Sequence, residues 1–354
     1  MDGAGPCRRI LALDGGGIRG IITARWLARL EEVLGGPVAR RFDILAGTST
    51  GAILACAVAR GIPAADIVEM YRRHGREVFP PPGEAAWSWL RRAVAQAASA
   101  PIYDGVGLER VLRRQLGEVL LGDLPARPLL LLTAFNTLTR TMTVIKHDRP
   151  RWAAMPLWQA AKASSSAPVY FPAHVTGVLG SPAPLIDGGV AANNPAACAL
   201  AEAVRVNRAN SGTDTIFPQG DGTGTVAPTV EGEYGICPRI GAAFDQFVVA
   251  SFGTGHATRP ITVEQARQWG PLEWALPILN VLMDGSGDVV DYLVGQLIPP
   301  GRYFRLQVPL DAAHDEMDDA GEANIDALLA AAETCLAGDG ERKIQDLARL
   351  LGQR

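Results

Sequence analysis

The chain has 354 residues and a net charge of −4, with 48% hydrophobic and 20% charged residues, an ordinary globular composition with enough apolar material for a sizeable core. That balance gives no bulk electrostatic support for binding DNA or RNA, and no run reaches the roughly 18 uninterrupted apolar residues that a membrane span needs. Five scattered cysteines, Cys7, Cys56, Cys198, Cys237 and Cys335, show no paired spacing, so neither a disulfide framework nor a zinc site is expected.

The first predicted strand, Ile10-Leu11-Ala12-Leu13, starts without the charged and apolar regions of a signal peptide, which implies a cytoplasmic protein. It breaks at Asp14-Gly15-Gly16-Gly17-Ile18-Arg19-Gly20, and residues 21–34 continue as an amphipathic helix. Three consecutive glycines between a strand end and a helix start make a loop whose N–H groups can all point at one anion. Dinucleotide binding is the competing reading of the same glycines. That turn calls for an acidic residue closing the next strand about twenty residues on, whereas Glu31 and Glu32 fall inside the helix and the next strand ends in a serine turn. An oxyanion hole is the better use of the loop. The apolar run Phe42-Asp43-Ile44-Leu45-Ala46 leads into Gly47-Thr48-Ser49-Thr50-Gly51 and then Ala52 to Val58. A serine on a sharp strand-to-helix turn, flanked by glycines that let backbone approach backbone, is a nucleophile elbow.

Pro63 opens a further helix to about Gly75, followed by Pro80-Pro81-Pro82-Gly83 and Trp87-Ser88-Trp89-Leu90-Arg91-Arg92. Residues 80–90 read either as a lid that meets a lipid surface or as a loop and helix packed on the core. Leu129 to Ala134 and Thr141 to Lys146 are expected strands, joined through Asn136 to Thr139. Leu185-Ile186-Asp187-Gly188-Gly189 ends a short apolar strand, and a helix follows Asn193-Asn194-Pro195 from Ala196 to Asn207. Residues 211–233 read as a long surface loop. The sheet resumes at Phe247 to Phe252. Residues 272–297 form an apolar helical stretch interrupted by Pro277 and by Asp284-Gly285-Ser286-Gly287-Asp288, suited to core packing or a partner interface ahead of membrane docking. A late strand at Tyr303 to Val308 and closing helices complete the chain. Length alone leans to two domains, but motifs spread from residue 14 to residue 189 must meet in one site. The expectation is therefore one domain over residues 1–354, with a core at about 8–310 and closing helices at about 320–352.

In this order the three motifs resemble the patatin-like phospholipases, which carry an Asp-Gly-Gly-Gly-x-Arg-Gly loop, a Gly-x-Ser-x-Gly elbow and a distal Asp-Gly-Gly or Asp-Gly-Ala. Ala163-Ser164-Ser165-Ser166-Ala167-Pro168-Val169-Tyr170-Phe171-Pro172 looks like the stretch before the distal aspartate in that family. The resemblance spans about residues 8–310. It implies a three-layer α/β/α fold with a central, largely parallel sheet, Ser49 as nucleophile and Asp187 as its base. It also implies an oxyanion hole from Gly15, Gly16 and Gly17 with Arg19 holding that loop, and no cofactor or metal. Gly20, Gly47, Gly51, Gly188 and Gly189 are its remaining motif glycines.

Each positioned backbone donor is worth on the order of 3 kcal/mol to an oxyanion-like transition state. A free aspartate, with a pKa near ~3.9, is a poor base until the site desolvates it. A rival within the enzyme class is a Ser, Asp, His triad drawing on His256 or His314, which match the chain order of α/β-hydrolases. His74, His147 and His174 have no motif context. The resemblance further implies a serine lipid acyl hydrolase of phospholipase A type. It would act on phospholipid at the cytoplasmic surface of the inner membrane, as an antiphage effector switched on by a cyclic di- or trinucleotide, either by ordering residues 80–89 or by driving homo-oligomer assembly that buries the apolar face of residues 272–297. A constitutive lipid acyl hydrolase is the alternative, and a non-enzymatic scaffold is the reading from another class, opposed by the intact Ser49, Asp187 and glycine loop.

Overall fold

The computed structural model describes residues 8–80, 100–210, 244–258, 260–274, 277–310 and 315–352. The expected lid at 80–90 and loop at 211–233 therefore lie almost wholly outside the described residues. Strand β1 (Arg9–Leu13) sets the layering. Side chains alternate along a strand, so Leu11 and Leu13 enter one apolar core and Ile10 and Ala12 enter another, all fully buried. Helix α1 (Gly20–Leu34) follows the glycine loop. Strand β2 (Ile44–Thr48) then leads through Ser49 into α2 (Thr50–Ala59), and α3 (Ala64–Val78) and α4 (Val106–Leu116) complete that face.

Strand β3 (Leu129–Asn136) pairs with β4 (Thr141–Lys146), and α5 (Leu157–Ser164), β5 (His174–Thr176) and β6 (Ala183–Asp187) lead to α6 (Ala196–Asn210). After β7 (Val248–Phe252) come α7 (Pro277–Leu297), β8 (Tyr303–Leu306), α8 (Glu322–Leu336) and α9 (Asp339–Gly352). Strands β8, β7, β1, β2 and β3 are parallel neighbours in that order, while β4, β6 and β5 add antiparallel pairing at one margin. Helix α6 and the C-terminal part of α7 cover the core holding Ile10 and Ala12, while α1 to α5 cover the other, which Leu279 and Met283 of α7 also enter. The result is the expected three-layer α/β/α sandwich around a mostly parallel sheet. Helices α8 and α9 dock on α1, where the Trp26 indole donates to the Ala332 carbonyl at 3.1 Å and Arg29 forks onto Glu341 at 3.0 and 2.7 Å.

Two features place the site. Residues 129–133 of β3 pair with β2, and residues 134–136 pair with β6, while β4 occupies the opposite edge throughout 131–136. Strand β6 thus continues the line of β2 beyond its C-terminal end, so consecutive residues of β3, Thr133 and Ala134, pair with Thr48 and Asp187. The second feature is the close approach of α2 to β1. A methyl group on Gly51 would overlap the backbone oxygens of Leu13 and Asp14, neither of which can swing away. Gly51→Ala should destabilise the fold by about 3 kcal/mol, read as a lowered thermal midpoint. A variant melting within about 1 °C of the parent would contradict this contact.

The 272–297 region differs from expectation. Helix α7 runs unbroken through Gly285 and Gly287, with Leu279, Met283, Gly287 and Val294 buried. Each glycine costs a helix only about 1 kcal/mol relative to alanine, and packing of that face outweighs it. Pro277 starts the helix, where its missing N–H has no partner to lose.

Candidate active site

Ser49 has φ 55° and ψ −123°, a backbone state that costs a non-glycine residue on the order of 1–3 kcal/mol and persists only where its surroundings enforce it. Here they do. The Ser49 N–H donates to Ser164 Oγ at 2.9 Å. Its carbonyl accepts the Ser165 hydroxyl at 2.9 Å and the N–H groups of Ala52 and Ile53 at 2.9 and 3.2 Å. Thr48 is tied to the Ala192 carbonyl at 2.7 Å and to Thr133 Oγ1 at 2.6 Å. The motif glycine Gly47 sits where a Cβ would overlap the Gly51 carbonyl.

The serine-rich segment also fixes Asp187. The Ser166 carbonyl accepts the Asp187 N–H at 3.0 Å, and the Ser164 carbonyl accepts the Gly188 N–H at 3.3 Å. One turn of chain therefore holds Ser49 and Asp187 in common register. Asp187 is fully buried. Its Oδ1 accepts the Gly189 N–H at 2.7 Å. Burial pushes the carboxyl up to about 7, against the opposing pull of the Ser49 hydroxyl and the Gly189 N–H. Its Oδ2 is buried without a bond of full hydrogen-bond geometry, so the resting contact with Ser49 is looser than a completed proton-transfer bond, as is common before substrate arrives. The site thus holds a carboxylate that titrates near neutrality beside a serine hydroxyl, the pairing that general-base activation of a nucleophile requires.

The glycine loop crosses this pair from the end of β1. Gly15 lies against Ser49, and a methyl there would sit 3.1 Å from Ser49 Cβ while overlapping Asn193 Oδ1. The Gly15 N–H donates to the Asn193 carbonyl at 3.1 Å, and the Gly15 carbonyl accepts the Thr254 hydroxyl at 2.8 Å. That amide is therefore engaged, and Gly15 serves by its lack of a side chain. Among the described residues the amides of Gly16 and Gly17 meet no protein acceptor. Gly17, with φ +60°, passes so close to the Met317 carbonyl that only glycine fits. Arg19 is buried, and its Nε donates to the Gly16 carbonyl at 3.3 Å and its Nη1 to the Asp315 carbonyl at 3.4 Å. It holds the loop from behind. Gly20 leaves room for the hydrogen-bonded Thr50 and Tyr71 hydroxyls, and Gly188 packs on Thr133.

Ser49 and Asp187 open onto an apolar cleft walled by Ile18, Ile53, Met70, Val78, Phe79, Leu108, Leu112, Phe171, Met283 and Met317. His256 is exposed and bonds neither residue, and His314 lies outside the described residues. His147 is spent on the Leu130 N–H and the Pro125 carbonyl, and His174 stacks edge-on to Trp158. His74 lines the cleft, which its sequence context gave no reason to expect, with Nδ1 turned to Arg114 at 3.2 Å. Sequence reasoning also missed Asn193 and Thr254. Asn193 lies in the Asn-Asn-Pro run, where Asn194 Oδ1 caps α6 through the Ala196 N–H at 2.9 Å, and Thr254 lies in the Gly-Thr-Gly run ending β7.

Residues 11–200 match the family model described as patatin-like phospholipase. Patatin-like protein 2 of rice, Oryza sativa, is 30% identical over 363 positions covering 92% of this chain and 83% of the relative. Patatin-04/09 of Solanum tuberosum is 29% identical, with the same coverage of each chain. Among solved structures, VipD from Legionella pneumophila aligns over 94% of this chain and 67% of its own with a TM-score of 0.38 and 12% identity.

Proposed function

The chain belongs to the patatin-like phospholipase family, hydrolase enzymes acting on lipid acyl groups, and on that premise we propose that Ser49 and Asp187 act as a two-residue catalytic unit on phospholipid acyl esters. The observation that carries the reading is the fully buried Asp187 carboxylate, raised to about 7 and paired with the Ser49 side chain at the mouth of an apolar cleft. Asp187 takes the Ser49 proton as Oγ bonds to the ester carbonyl carbon, and the amides of Gly16 and Gly17 receive the charge on the carbonyl oxygen. As the tetrahedral adduct collapses, Asp187 gives that proton to the departing alkoxide oxygen, and the alcohol leaves as a lysophospholipid. Water, deprotonated by Asp187, then releases the fatty acid and restores the serine. The acyl chain fills the apolar cleft and completes the desolvation of the base.

A second reading, a gated enzyme, is favoured by α7. Its inner face places Met283 in the cleft and Ser286 Oγ against the Asn193 N–H at 3.2 Å, while Val281, Leu282, Val289, Tyr292 and Leu293 stand exposed on its outer face. A cover over that outer face would bear on the site through the same helix. The cyclic-nucleotide activator and the antiphage role come from the family resemblance and are carried here as part of this second reading.

One experiment tests both. Purified protein is mixed with phospholipid vesicles, with and without a panel of cyclic di- and trinucleotides, and products are identified by mass spectrometry. Fatty acid and lysophospholipid in equal amounts support the phospholipase A reading. Release that is nearly silent until one nucleotide is added supports the gate, since a ligand shifts only an equilibrium between states it binds differently. Full basal release with no nucleotide response leaves a constitutive hydrolase.

A further inference from the structure

Asp14, the residue before the glycine loop, is buried, and its side chain is anchored by a residue almost 300 positions away. Arg305 Nη2 reaches Asp14 Oδ2 at 2.7 Å, and Arg305 Nη1 donates to Ser251 Oγ at 3.0 Å. Ser251 in turn accepts the Asn194 side-chain amide at 3.1 Å. The guanidinium is backed by Asp291 of α7 at 3.9 Å, itself the acceptor of the Tyr303 hydroxyl at 2.5 Å. Lys343 of α9 grips the Arg305 carbonyl at 3.0 Å. The ends of β1, β7 and β8 and the start of α6 are thereby drawn together behind the loop that carries the amides of Gly16 and Gly17.

We propose that Arg305 is a positioning residue for the hydrolytic reaction, acting through Asp14 on the oxyanion loop. The proposal rests on the Ser49–Asp187 reading above. Two physical effects support it. The backbone anchors of the loop, Asp14 N–H to the Phe252 carbonyl at 3.0 Å and Gly15 N–H to the Asn193 carbonyl, fix its strand end. The forked guanidinium fixes the side chain from which the loop departs, and a loss of about 1 Å in placement is enough to cost about 100-fold in rate. Charge is the second effect. Burial drives the Asp14 carboxyl up to about 6, with Arg305 opposing the rise, so the carboxylate is ionised at neutral pH, two residues from the amide that would meet the oxyanion. Without Arg305, burial acts unopposed on Asp14 and drives its carboxyl further up, so the group takes up a proton near neutral pH and the charged bond that holds the head of the loop is lost.

The test uses the full chain with a soluble short-chain ester, steady-state kinetics and circular dichroism. Arg305→Gln is expected to lose about 100-fold in kcat with KM within about threefold, because the cleft that binds the acyl chain is untouched. Arg305→Lys keeps the charge on Asp14 but cannot bond Asp14 and Ser251 together, and should recover about tenfold of that loss. A folded Arg305→Gln with unchanged kcat, or with its loss confined to KM, would overturn the proposal. If Arg305→Gln does not fold, Arg305→Lys decides alone: a kcat at the parent value overturns it, and a loss of about tenfold with unmoved KM supports it. Ser49→Ala is run beside them. Activity surviving in Ser49→Ala defeats the reading of the site itself, whereas an inactive Ser49→Ala beside a fully active Arg305→Gln defeats only this inference.

Discussion

Ser49→Ala should lower turnover of a soluble short-chain ester by about 10⁶-fold and abolish labelling by a fluorophosphonate, with no loss of fold. The whole loss follows from one oxygen, because the other serine and threonine hydroxyls that line the cleft among the described residues, those of Thr50 and Ser165, are held in hydrogen bonds to the Tyr71 hydroxyl and to backbone carbonyls. Removing the hydroxyl leaves the strained backbone in place, since the bonds that enforce φ 55° run to the Ser49 N–H and carbonyl. Circular dichroism and thermal melting should therefore match the parent. Hydrolysis within tenfold of the parent would reject Ser49 as the nucleophile.

Asp187→Asn should be as damaging as loss of the serine, while His256→Ala and His74→Ala retain most activity, because neither imidazole reaches the pair. In the parent, kcat/KM should rise with pH and level off above about 7, where Asp187 becomes a base, and the same acid limb should persist in His256→Ala. Stability moves the opposite way. Between 3.8, the ordinary carboxyl value, and about 7, the folded protein keeps a proton on Asp187 that the unfolded chain has lost. Stability therefore falls as pH rises through that window and stays reduced above it. Asparagine carries no charge to bury, so Asp187→Asn should melt above the parent at pH 8. An active Asp187→Asn, or one that melts lower at pH 8, would contradict a buried carboxylate base.

The parts of this site that were legible in the sequence are those built by neighbours in the chain. A strand, a glycine-flanked serine and a helix make an elbow wherever they occur together, and three glycines at a strand end make a loop of exposed amides. Asp187 needed the resemblance, because an aspartate followed by glycines is an ordinary turn until something puts it beside Ser49. What does so is the register of β3, whose residues 133 and 134 meet Thr48 and Asp187, and such register is not encoded locally. Asn193 and Arg305 were illegible for the same reason: each acts on the glycine loop from about 180 or 290 positions along the chain. The loop also has fewer free donors than its glycines suggest, since the Gly15 amide is consumed by Asn193. Helix α7 misled through its glycines, whose local cost is overruled by the packing of Met283 and Val294.

The central claim, that Ser49 with Asp187 cleaves phospholipid acyl esters, is tested most directly by fatty acid release from phospholipid vesicles, with the parent and Ser49→Ala measured side by side in the presence of the nucleotide panel. The account predicts release of fatty acid and lysophospholipid by the parent and none above background by Ser49→Ala. Equal release by the two proteins, or none by the parent under any condition while it still hydrolyses a soluble ester, would contradict it.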